Sequence, residues 1–320
     1  MGATLSFLYF NMEPVLYSIS TTVVTAEFIL GNLSNGLIMV KNCIDWVNKG
    51  ELSPIDQILI ILAISRITLI WEVLFIWVKT RSISFITKEE LKIVMFCSIL
   101  SGHFNLWLAT ALSIFYLLKI ANFSWQIFLY LKRRLKQLIV GILLGSLTFL
   151  LANLMQMSIT LEERFHQYGG NTTVNSTETE FVLFSELFLF NSAMFSVTPF
   201  SLALISFLLL ILSLWKHCQK MQLNARGHRD PNTKAHTSAM KIIISFLLLY
   251  ATYILSLLTS WIAEKHHSEL VQIICMITGL MYPSVHSLIL ILGNAKLKQT
   301  SLLILRHLGC RLKEQKIPTT

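Results

Sequence analysis

The stretch Pro54-Ile-Asp-Gln-Ile-Leu-Ile-Ile-Leu-Ala-Ile-Ser-Arg-Ile-Thr-Leu-Ile-Trp-Glu-Val-Leu-Phe-Ile-Trp77 decides the fold. About 18 apolar residues, at roughly 1.5 Å per residue, are enough to cross a hydrocarbon core. This run is that long, and only Asp56, Arg66 and Glu72 interrupt it with charge. Working outward, comparable runs lie at about 14–40, 90–118, 135–157, 181–215, 239–262 and 270–292. Together with 54–77 they make seven spans and one all-α membrane domain over residues 1–320, with 293–320 as a tail. Composition agrees. The chain is 54% hydrophobic and 13% charged, whereas a soluble domain carries about 25% charged residues.

Orientation is read from Lys and Arg, which gather on the cytoplasmic side. With the N-terminus outside, the inner connections and tail hold Lys41, Lys49, Lys119, Lys132, Arg133, Arg134, Lys136, Lys216, Lys220, Arg226, Arg229, Lys234 and Lys241, followed by the basic tail. The outer side keeps only Lys79, Arg81, Lys88, Lys92, Arg164 and Lys265. The N-terminus is thus read as extracellular and the C-terminus as cytoplasmic, at the plasma membrane. The same distribution explains the net charge of +9 without nucleic acid as a partner. Two glycosylation sequons, at Asn171 and Asn175, fall in the long outer connection, as this topology requires. Sequons at Asn32 and Asn122 fall in a span and on the inner side and are expected to be silent. From Asn294 to Leu312 basic residues alternate with Leu and Ile at helical spacing, which reads as a short amphipathic cytoplasmic helix on the bilayer surface. Cys310 beside it is a candidate for lipidation.

The chain offers little for catalysis. The five cysteines are scattered, and the histidines show no metal-ligand spacing. Neither a nucleophile elbow, a phosphate loop nor a carboxylate pair is visible, so no enzyme activity and no cofactor or metal is expected. Ionisable groups within spans are costly and usually functional. Arg66 lies near the middle of its span, at a depth that Asn35 in the first span and Ser287 or His286 in the seventh can reach. An Asn35–Arg66–Ser287 network clamping three helices follows, either as an activation switch or as a structural polar knot. Glu27 and Glu72 are the acids well inside spans; neither has a positive partner at helical spacing, so each is neutral or faces a wet cavity.

The third span carries a more specific signal. Leu106-Trp107-Leu108-Ala109-Thr110-Ala111-Leu112-Ser113-Ile114-Phe115-Tyr116-Leu117-Leu118-Lys119-Ile120-Ala121-Asn122-Phe123-Ser124 resembles the strongest block of the bitter taste (type 2 taste) receptor family of G-protein-coupled receptors. Gly31-Asn32-Leu33-Ser34-Asn35-Gly36 is similar to that family's first-helix motif, and Leu62-Ala63-Ile64-Ser65-Arg66-Ile67 to its second. Asp230 to His236 with Ser245 to Tyr250 resembles the third inner loop and sixth helix, and His286 to Gln299 the seventh helix and tail. Rhodopsin-like features are missing: Phe115-Tyr116-Leu117-Leu118-Lys119 stands where an acid-Arg-Tyr triplet would be, and the long outer connection has no Cys.

The resemblance implies a chemosensory receptor whose outer pocket takes bitter small-molecule agonists and whose inner face activates a gustducin-like heterotrimeric G protein. The family's ligand-contacting tryptophan aligns with Trp77 and its aromatic switch with Tyr250, with Tyr253 nearly one turn further outward. Ser98, one turn from Gly102, stands where some members have Trp. Met276 stands where some have Glu, which predicts a roomier and less acidic pocket. Phe184, Phe188 and Asn191 would join His103 and Met276 in a mostly apolar cleft. Tyr116, Lys119, His217 and Lys220 are candidate G-protein contacts. The alternatives are a seven-helix receptor for another small ligand and a small multi-pass transporter, though the internal repeats expected of the latter are not visible. Replacing both Asn171 and Asn175 with Gln is expected to remove the glycosidase-sensitive mass shift of the expressed chain, as read on an immunoblot.

Overall fold

A computed structural model describes residues 2–81, 88–168, 176–224, 231–266, 268–294, 297–304 and 306. Eight helices follow in chain order: α1 (Gly2–Lys49), α2 (Pro54–Arg81), α3 (Lys88–Ile120), α4 (Gln126–Arg133), α5 (Leu135–Tyr168), α6 (Ser176–Asn224), α7 (Pro231–Lys265) and α8 (Glu269–Gly293). All but α4 contain a segment long and apolar enough to span a bilayer, so the chain is a seven-span bundle. A short helix over 297–304 follows the seventh span. Asn294 caps it by accepting the Leu297 amide on Oδ1 at 3.3 Å. Leu297 is buried while Leu302 and Leu303 are exposed, an apolar side suited to lipid.

Local chemistry fixes where the helices begin. Ser53 precedes Pro54 at the start of α2; its hydroxyl donates to Asp56 Oδ2 at 2.6 Å and accepts the Asp56 amide at 3.3 Å. This is a serine N-cap steadied by the Asp56 carboxylate, with proline in the first helical turn, where a missing N–H costs nothing. The connection after α3, read from sequence only as a basic inner segment, contains the short helix α4. Its Phe128 is buried, and Lys132 folds back to donate to Ala121 O and Asn122 Oδ1, both at 3.0 Å.

Helix α3 forms the centre of the bundle: 56% of its membrane window is buried, against 22% for α5 at the periphery. Its inward positions Ala109, Ala111, Thr110 and Ser113 are small, which lets neighbouring backbones approach closely. Thr110 Oγ1 donates to the carbonyl of Pro199, within α6, at 2.9 Å. Large apolar side chains such as Leu144, Leu151, Leu248 and Leu255 point outward. In water they would form an aggregation-prone surface; against acyl chains they are the expected exterior.

The tightest approach is at Gly31 of α1. A Cβ there would meet the Ile70 side chain of α2 and would lie 3.3 Å from the Ser284 Cβ of α8. The Ile70 side-chain end can turn aside, but Ser284 Cβ and Cα at 3.3 and 3.5 Å leave a side chain at this position little room. Gly36 on the same helix has open space where a Cβ would stand. Gly31→Leu is expected to lower the apparent Tm of the purified protein by several degrees, since overpacking costs about 1–3 kcal/mol. Gly36→Ala should leave Tm within a degree or so; equal losses at both positions would show that the close approach is not limiting.

Candidate functional site

Two features share the bundle interior, and the first is a polar knot around Arg66, which is fully buried. Its Nε donates to Asn105 Oδ1 of α3 at 3.1 Å, and its Nη1 to Ser287 Oγ of α8 at 2.9 Å. Its Nη2 meets His286 Nδ1 of α8. Guanidinium is an obligate donor, so a hydrogen bond here requires Nδ1 as the acceptor. Ser287 in turn donates to Asn35 Oδ1 of α1 at 2.6 Å. The Asn35 amide donates to the carbonyls of Gly31 at 2.8 Å and Pro283 at 3.2 Å. Four helices therefore meet on one cation, whose planar donor fork explains why arginine stands here. The face of Tyr282 completes the shell, with its centroid 5.6 Å from Arg66 Cζ.

The second feature is a cavity of about 240 Å³ toward the end of the bundle that carries the α2–α3 and α7–α8 connections. Its walls are helical stripes. Leu69, Glu72, Val73 and Ile76 come from α2, and Ser98, Gly102, His103 and Trp107 from α3. Phe188, Ser192 and Pro199 come from α6, Tyr253, Ser256 and Ser260 from α7, and Met276, Gly279 and Pro283 from α8. The recurring steps of three and four residues place each set on one helix face. Tyr253 joins the two features: its ring centroid lies 5.1 Å from that of Tyr282, which stacks at 5.3 Å on His286 within the knot.

Of the residues expected to bind ligand, Ser98, Gly102, His103, Phe188, Tyr253 and Met276 line this cavity. Trp77 does not. The α2 stripe through residues 69, 72, 73 and 76 turns Trp77 toward α1, where it stacks at 6.0 Å on Tyr17 and packs with Val24, Ile70 and Ile273. Tyr250 lies one turn deeper than Tyr253, in a void of about 10 Å³ with Tyr116, Phe246 and His286. Asn191 is turned toward α5 and donates to Asn153 Oδ1. The side chains of Phe184 and Lys220, and the residues Asn171 and Asn175, lie outside the described residues. At the α1–α2 end of the bundle, Lys119 and His217 are exposed, and Lys119 Nζ stands 5.4 Å above the Phe115 ring.

Sequence reasoning missed one residue of the knot. Asn105 was passed over as one polar residue in an apolar run, yet it is fully buried and supplies the α3 acceptor for Arg66. Its signal was the expense of a buried amide, which requires a partner. Glu72, known as an intramembrane acid, proves to be part of the cavity wall. Met276 lines the α8 side of the cavity without charge, and Glu72 places one carboxyl group on its α2 side.

Seven membrane helices surround a cavity with a polar knot beneath it, the architecture of a multi-pass membrane protein with an internal pocket. The family model described as taste receptor protein matches residues 12–309. Among curated proteins, the chain is 70% identical to taste receptor type 2 member 124 of Mus musculus, over 97% of this chain and all of that protein. It is 65% identical to taste receptor type 2 member 102 of Mus musculus, over 96% of this chain and 93% of that protein. To taste receptor type 2 member 13 of Pan troglodytes it is 56% identical, over 92% of this chain and 97% of that protein. The chain belongs to the taste receptor type 2 family, the bitter taste receptors.

The knot has a direct consequence. Asn105→Leu leaves Arg66 Nε without its acceptor in a site closed to water. It is expected to cost about 1–3 kcal/mol, read as a lower apparent Tm of the purified chain. A Tm unchanged from wild type would remove Asn105 from the set of groups holding the guanidinium.

Proposed function

We propose that the cavity takes bitter small-molecule agonists and that their binding leads a gustducin-like heterotrimeric G protein to engage the opposite end of the bundle. The observation that carries this reading is the cavity itself: mostly apolar, lined by residues of six spans around a few polar groups, and of a size suited to a small organic molecule. Orientation follows the distribution of Lys and Arg. The cavity end is extracellular, and the α1–α2 end with the tail is cytoplasmic, in a single seven-helix domain at the plasma membrane.

Tyr253 is shared between the cavity wall and the aromatic stack on the knot. A ligand against Tyr253 that favours one arrangement of Tyr282 also biases the Asn35–Arg66–Ser287 network, which ties α1, α2 and α8. Agonism in this reading is a population shift between two bundle packings, driven by the difference in ligand affinity between them. Tyr250 lies on the path and acts as its switch. Trp77 supports the wall from behind through the cluster it shares with Met276. Tyr116, Lys119, His217 and Lys220 are the proposed contacts with the G protein.

Gly102 tests the reading directly, because a Cβ there meets nothing within 4 Å. Gly102→Trp fills the space without disturbing the helix. In cells expressing the chain with a gustducin chimera and challenged with a bitter-compound panel, this variant should abolish calcium responses at unchanged surface expression. Responses equal to wild type would exclude the cavity as the agonist site.

A further inference from the structure

Glu72 is the only carboxylate among the residues that line the cavity, and no lysine or arginine lines it. The side chain is 8% exposed. Two hydroxyls from α3 hold it in place: Ser98 Oγ donates to Oε2 at 2.9 Å, and Ser101 Oγ donates to Oε1 at 3.2 Å and Oε2 at 3.0 Å. Two such donors leave part of a carboxylate's acceptor capacity, about four lone-pair sites, unused. Among the described side chains of α2, the cations Arg66 and Lys79 have partners elsewhere. Arg66, six residues deeper, is bound by Asn105, Ser287 and His286. Lys79, seven residues outward, donates to Glu90 Oε1 at 3.1 Å.

A carboxyl group placed this way in an apolar cavity either holds a proton or gains a positive partner, so an ammonium ion that enters favours its ionised form. The remaining wall suits the organic part of such a partner. Tyr253, Phe188 and Trp107 offer ring faces that attract cations, and Met276 adds a polarisable thioether. We propose that Glu72 makes the cavity selective for compact organic ammonium ions over neutral molecules of the same shape. The inference rests on the reading of the cavity as the agonist site and gives that site its ligand class. Its acid comes from α2, with Ser98 and Ser101 as positioning residues that aim the carboxylate.

The test uses the purified full-length receptor and two probes of equal shape, benzyltrimethylammonium and the uncharged isostere in which carbon replaces nitrogen. Wild type should bind the cation about tenfold or more tightly than the isostere, the scale expected of ion pairing with Glu72 together with cation–π attraction to the aromatic wall. Glu72→Gln, which keeps the size of the side chain and an acceptor for Ser98 and Ser101, should bring the two affinities within about threefold of each other. Glu72→Asp should keep the preference for the cation. Equal affinities in wild type, a preference unchanged in Glu72→Gln, or no binding of the cation to wild type would each overturn the proposal. The wild-type comparison decides even if a variant fails to fold. Failure here is distinct from failure of the agonist site, which Gly102→Trp reports: a cavity whose filling silences every agonist, but which binds both probes equally, remains the site without being an amine site.

Discussion

One buried guanidinium sets the terms for the bundle. An arginine in the middle of a membrane span is tolerated only where the protein supplies acceptors, because lipid supplies none. Arg66 obtains them from α3 and α8, and through Ser287 from α1. Each acceptor must arrive at the same depth, and this fixes the relative heights of four helices. The close approach of Gly31 to Ile70 and Ser284 belongs to the same constraint, since α1 must come near enough for Asn35 to reach Ser287 and the Pro283 carbonyl.

The cavity exists above this knot because small residues face inward there. Gly102, Ser192, Ser256 and Gly279 leave the space, while Tyr253 and Pro283 form part of the wall. Tyr253, Tyr282 and His286 then run as a column of rings from that wall into the knot. The arrangement gives the proposed signalling route a physical form: packed aromatics and a multidentate ion site have a few discrete arrangements, and a ligand needs only to favour one of them.

Much of this was legible in the residues. Runs such as Pro54–Trp77 can satisfy their backbones in lipid only as helices, so the seven-span class followed from length and composition alone. The Asn35–Arg66–Ser287 contact followed from depth, because matching polar residues in otherwise apolar spans must find one another. Azimuth was harder to read. Trp77 and Asn191 sit at suitable depths but face neighbouring helices, and a rotation of less than one turn decides between cavity and interface. Helix α4 was hidden because eight residues carry too little periodicity to separate a short helix from a basic connection. Asn105 and Glu72 were visible as polar residues in spans, but their roles depend on which side chains another helix brings opposite them, and that is a property of the packing.

The central claim is that Arg66 and Ser287 act as one unit holding the helices together. A double-mutant cycle with Arg66→Met and Ser287→Ala, read as the apparent Tm of the purified chain, measures this most directly. The double variant is expected to lose little more than the worse of the two single variants, because either change already breaks the shared contact. Losses that simply add would mean that the two residues stabilise the bundle independently and do not form one unit.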